Sequence, residues 1–90
     1  MGILSSQADE RIKEVQISEE MLTVSLMDGR IISVPLHWYP ALINSGREQL
    51  EDFQISGGGY GIHWPQIDED LSVEGLLKGL PAPKSFNKSA

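Results

Sequence analysis

The chain has 90 residues, of which 40% are hydrophobic and none is cysteine; 7 Lys and Arg stand against 13 Asp and Glu, for a formal charge of −6. That length allows one domain with a modest core, and the missing cysteines exclude a disulfide framework or a thiolate zinc site. A net negative charge without a basic cluster argues against direct nucleic-acid binding, and no stretch approaches the ~18 apolar residues of a membrane span.

Residues 1–10 show no clear period and read as a flexible leader. They have no basic start and no apolar run of signal-peptide length, so the expected location is the cytoplasm. Residues 12–17 read as a first strand, with Val15 and Ile17 on one face. Leu22, Val24 and Leu26 then alternate with Thr23 and Ser25, and Ile32, Val34 and Leu36 alternate again, which marks two half-buried strands.

Parity decides the turn between the second and third strands. A two-residue Asp28-Gly29 loop would set Val24 against Ser33 and turn Ile32 and Val34 to the wrong face. A three-residue loop, Met27-Asp28-Gly29, instead pairs Val24 with Ile32 and Leu22 with Val34, and Gly29 takes the left-handed position that such loops need. The same counting sets Ile17 against Leu22 and Val15 against Val24. The expected unit is a three-stranded antiparallel meander with one apolar face.

His37-Trp38-Tyr39-Pro40 leaves this sheet. Pro40 suits the first turn of a helix, which Ala41, Leu42 and Ile43 carry to about Ser45 before Gly46 ends it; Arg47 to Leu50 can add another turn. Phe53 and Ile55 suggest a short strand, Gly57 to Gly59 a turn, and Tyr60 and Ile62 a return strand. Pro65 pushes Trp64 out of the helical region. Ser72 is a good N-cap for a last helix, Leu71 and Leu76 have hydrophobic-staple spacing, and Gly79 followed by Pro81 ends it. Residues 81–90 read as a flexible tail, leaving 11–80 as a single α+β domain: meander, helix, short β-hairpin, C-terminal helix. An open small barrel with the helices as plugs is the alternative.

The motifs exclude more than they assign. Gly57-Gly58-Gly59-Tyr60-Gly61 lacks the third glycine of a dinucleotide pattern, no Lys-Ser or Lys-Thr follows, and a hairpin turn explains it. Asp68-Glu69-Asp70 fails as a calcium loop, because Val73 and Gly79 stand at the sixth and twelfth positions. His37 and His63 have no metal-ligand spacing, so neither a metal nor another cofactor is expected. Trp38, Tyr39, Tyr60 and Trp64 gather around two His-Trp pairs. Core packing and a recognition surface are both open for them, since Trp and Tyr serve in both. The candidate partner- or ligand-binding residues are Trp38, Tyr60, His63, Trp64, Asp68, Glu69 and Asp70, with no catalytic residue assigned.

Several blocks resemble the small bacterial domain-of-unknown-function family 2442: Asp28-Gly29-Arg30, Val34-Pro35-Leu36, Trp38-Tyr39-Pro40, and above all the run from Gly58 to Pro65 followed by Ile67 to Leu77. The resemblance spans about residues 12–80. It implies a bacterial domain without established enzymatic activity. The genes of such domains often lie beside another small gene, in pairs like toxin–antitoxin modules. The expectation is therefore a non-enzymatic interaction or regulatory module, antitoxin-like, with a small protein partner encoded nearby and a homo-oligomer left open. The competing expectation is a small enzyme or a ligand- or metal-binding domain using His63 with Asp68, Glu69 or Asp70.

Overall fold

The structure is a computed structural model, and it describes residues 7–79. The parts of the expected leader and tail at 1–6 and 81–90 lie outside the described residues.

Two three-stranded antiparallel sheets make up the frame. The first takes β1 (Ile12–Ile17), β2 (Met21–Leu26) and β3 (Ile31–Pro35) in that order. Its register is the one that parity demands: Leu22 lies across from Val34 and Ile17, and Val24 from Ile32 and Val15. The turn closes with the Gly29 N–H donating to the Leu26 carbonyl at 3.0 Å, and Gly29 has φ of +101°. Leu22, Val24, Leu26 and Val34 are buried on one face. Thr23 and Ser33 face the other way and share a 2.8 Å hydroxyl hydrogen bond.

One feature of β1 is not visible in its alternation. The register shifts between Ile12 and Glu14, a bulge at Lys13. By strict alternation Ile12 would point away from Val15 and Ile17. The extra residue restores it to their side, and all three pack against the core.

After β3 one 3₁₀ turn, Leu36–Trp38, leads into α1 (Pro40–Ile43), with Pro40 in the first helical position. Gly46 separates this helix from α2 (Arg47–Glu51) and caps the second one. The Gln49 side-chain oxygen accepts from the Gly46 N–H at 3.0 Å. The helix expected over 40–45 stops at Ile43, because the Asn44-Ser45-Gly46 stretch favours caps over propagation, and the further turn expected at 47–50 is α2.

The second sheet runs β4 (Gln54–Ser56), β5 (Gly61–Trp64) and β6 (Glu69–Ser72). Gly57 to Gly59 close the β4–β5 hairpin, with φ of 60°, 69° and 105° in succession, a path open only to glycine without strain. The expected hairpin therefore gains a third strand. Asp and Glu are poor strand formers, which masked Glu69 and Asp70. Pairing wins because the Pro65–Asp68 turn brings Leu71 across from Ile62, and both are buried. Asp68 takes φ of +52° in that turn, which Asp tolerates better than most residues. Two separate sheets also replace the alternative of one open barrel.

The chain then enters α3 (Val73–Lys78). Ser72 Oγ accepts from the Gly75 N–H at 3.0 Å, and Gly79 closes the helix at φ of +71°. Leu71 and Leu76, the staple pair, are both buried. One cluster joins everything: β2 and β3 residues, Leu42 and Leu50 from the helices, Ile62, Trp64 and Leu71 from the second sheet, and Val73 and Leu76 from α3.

A polar latch holds the open end of the first sheet. The Asp28 carboxylate accepts from the Asp9 N–H at 2.9 Å, and the Asp28 N–H donates back to the Asp9 carbonyl at 3.3 Å. Arg30 adds contacts to Asp28 at 2.7 and 3.1 Å, and Arg11 binds Asp9 at 2.7 and 2.9 Å. These donors hold both carboxyls below the ordinary 3.8, with the Arg30 side chain the largest cause at Asp28 and the Arg11 side chain at Asp9. A depressed carboxylate stabilises the fold above its unfolded pKa, and that contribution is lost as pH falls through the folded value. Acid titration of the melting temperature should show stability falling below pH ~4. Asp28→Asn should lower stability at pH 7 and flatten that acid limb; an unchanged limb would remove the latch from the account.

Candidate functional site

The candidate residues map to five places. β5 is the central strand of the second sheet, and alternation along it sends neighbours to opposite faces. Ile62 and Trp64 point into the core, and His63 points out. Across the β5–β6 ladder Trp64 lies opposite Glu69, and His63 opposite Asp70. Residues directly opposite share a face. Glu69 therefore sits on the inner side with Trp64, while His63 and Asp70 form an outer pair.

Trp64 is fully buried, at 0% exposure. Its ring lies 6.4 Å from that of Phe53, and its Nε1–H donates to the Leu50 carbonyl at 2.9 Å. Leu50 is in the last turn of α2, where carbonyls have no intrahelical donor, so the indole satisfies a buried orphan acceptor. The question left open for the aromatic residues resolves differently at each one. Trp64 and Tyr39 are core, whereas Trp38 and Tyr60 are 39% and 49% exposed.

The outer pair has catalytic-looking geometry. His63 Nδ1 and Asp70 Oδ1 are 2.9 Å apart. An ionised carboxylate only accepts, so Nδ1–H is the donor. Yet the pair stands on the outer face of the sheet, outside both the groove lined by Asp9, Arg11 and Asp28 and the one lined by Leu36, Leu42 and Leu50. Among the described residues, no three His, Asp or Glu side chains are placed to hold a metal ion.

Glu69 is half-buried, and its carboxylate has no ion-pair partner among the described residues. Desolvation raises its pKa first, and the like charges of Asp70 and Asp68 add to the rise. Asp68 itself is exposed in the turn. Gln66 in the same turn donates to the Asp52 carboxylate at 3.0 Å, which ties the turn to the end of α2.

Tyr60 belongs to another part of the molecule. It lines an open groove of about 750 Å³ with Gln7, Ala8, Asp9, Arg11, Met27 and Asp28. Arg11 packs so close to the glycine turn that a Cβ on Gly59 would meet its Cγ at 3.1 Å. Its carboxylates are already filled by Arg11, Arg30 and backbone donors, so the groove is a structural joint. The sequence reading missed Asp9 and Arg11; their signal, Asp-x-Arg beside an Asp-Gly-Arg turn, is too short to stand out. Trp38 lies apart again, with Tyr39 as its ring neighbour at 6.5 Å.

A protein-family model matches residues 12–82. The chain belongs to the family of proteins of unknown function DUF2442. A crystal structure of a protein of unknown function from Rhodospirillum rubrum is similar to this DUF2442 chain, with 30% identity, a TM-score of 0.72, and coverage of 88% of this chain and 98% of that one. A solution NMR structure of an uncharacterised protein from Chromobacterium violaceum is also similar, at 26% identity and a TM-score of 0.70, covering 84% and 72% of the two chains. No curated protein matches. Among the described residues, no helix of this DUF2442 domain is long and apolar enough to cross a membrane.

These contacts make a definite demand on Trp64. Trp64→Ala should destabilise the domain by ~3–5 kcal/mol. Trp64→Phe keeps most of the packing but strands the Leu50 carbonyl, and should cost about 1–3 kcal/mol. Denaturant unfolding followed by circular dichroism measures both, and a Trp64→Phe variant as stable as the parent would deny the hydrogen bond its role.

Proposed function

We propose that this domain is a non-enzymatic interaction module that presents an acidic surface to a basic protein partner. The observation that carries this reading is the fate of its cations. Arg11 pairs with Asp9, Arg30 with Asp28 and Glu10, Arg47 with Glu51, and Lys78 with Glu74. Lys13 is the cation without an ion pair among the described residues. Glu14, Glu19, Glu20, Glu48, Asp52 and Asp68 are left without cationic partners there. A surface that neutralises its own positive charge and leaves acids over attracts a basic partner and steers its approach.

Within this reading the acids offered to a partner are Asp70, beside His63 on the outer side of the second sheet, and Asp68, exposed in the adjoining turn, while Trp38 and Tyr60 offer exposed aromatic anchors elsewhere. Trp64 contributes by holding β5 in place, not by touching a partner. An antitoxin-like half of a two-gene pair is the specific form of this proposal, with the partner encoded nearby and the complex located in the cytoplasm. The second reading, a ligand site at His63, draws on the 2.9 Å His63–Asp70 bond. Small-molecule sites are concave, and neither of the two grooves described above is lined by His63 or Asp70.

Co-purification from the native host tests the first reading. The domain should carry a basic protein with it, and the complex should weaken as salt rises, because exposed charges are screened within ~8–10 Å. Asp68→Asn with Asp70→Asn should weaken the complex at low salt and shift stability by only about 0.5 kcal/mol. A domain that purifies alone at native levels, or a complex indifferent to salt and to both substitutions, would overturn it.

A further inference from the structure

We infer that Glu69 guards the free edge of the second sheet against pairing with a second copy of this chain. β6 has β5 as its one neighbour in that sheet, so its far side is an open template for another strand. Leu71 and Ile62, buried across from each other, give β6 the apolar inner face that would make such pairing favourable. Glu69 breaks that face. It lies across from fully buried Trp64, where alternation calls for an apolar residue, and no described group neutralises it.

The device works because the edge is open. A carboxylate on an edge strand reaches water by passing its apolar stem around the rim. A second strand laid along β6 would close that route and force the charge into the interior, which is costly without a counter-ion. A second β6 would also bring its own Asp68, Glu69 and Asp70 alongside, and like charges across a ladder destabilise it.

The other edges are blunted as well, each by a different means. β1 has the bulge at Lys13, and Arg47 Nη1 donates to the Ile17 carbonyl at 2.8 Å. β3 ends in Pro35, which has no N–H to offer. β4 is only three residues long. Among these edges β6 is the one whose protection rests on acidic side chains, with Glu69 the one across from buried Trp64.

Sedimentation velocity over a broad concentration series tests this. The parent protein should remain monomeric. Glu69→Val should sediment as a dimer or larger species at the upper concentrations, with new amide protection at Asp70. Glu69→Gln, which keeps the shape and loses the charge, should move in the same direction and decides the matter if the valine variant does not fold. Asp70→Val removes a charge from the outer face, leaves Glu69 in place, and should stay monomeric. Folded Glu69 variants that remain monomeric throughout would overturn the inference. So would an Asp70→Val variant that associates as readily as Glu69→Val, since overall charge would then be the guard.

Discussion

The Trp64 indole is the constraint on which the rest of the molecule depends. It is the largest fully buried side chain, it sits on the central strand of the second sheet, and its N–H reaches the last turn of α2. One side chain thereby fixes the second sheet against the helical segment that follows the first sheet. Short elements need such a tie. Helices of four to six residues have little stability of their own, and a three-residue strand has less. Their order comes from the shared core, and Trp64 supplies the largest buried surface in it.

Once β5 is fixed, the chemistry of its neighbours follows from alternation alone. Trp64 inward sets Glu69 inward and His63 and Asp70 outward. The acidic run is therefore not one feature. Asp68 holds a left-handed turn, Glu69 marks the rim of the core, and Asp70 orients a histidine on the surface. Removing any one of these acids should have a different consequence, although the three are consecutive. The similar structures from Rhodospirillum rubrum and Chromobacterium violaceum share the fold, and neither has a characterised function to lend.

The first sheet was legible because its code is redundant. Leu22, Val24 and Leu26 alternate with polar residues, and Met27-Asp28-Gly29 admits one loop length consistent with that alternation. The bulge at Lys13 was not legible, since it appears only when Ile12 must face the same core as Val15. In the second sheet the hairpin turn at Gly57 to Gly59 and the Ser72 cap were readable from residue type. β6 was hidden by its acids, whose low strand propensity is overridden by the burial of Leu71 against Ile62. The candidate surface fared unevenly for the same reason. His63 and Asp70 do meet, but treating Trp64 and Glu69 as part of one surface required knowing which face each strand residue takes.

The most direct measurement is the exchange of the two indole protons with solvent, followed by NMR. If Trp64 ties the second sheet to α2, its Nε1–H should exchange only through global unfolding, with protection matching the most protected core amides. The Trp38 indole, on a partly exposed ring, should exchange far faster. A Trp64 indole proton that exchanges as freely as that of Trp38, while core amides of β2 stay protected, would contradict the account. The second sheet would then open independently of the first, and Trp64 would not be what holds them together.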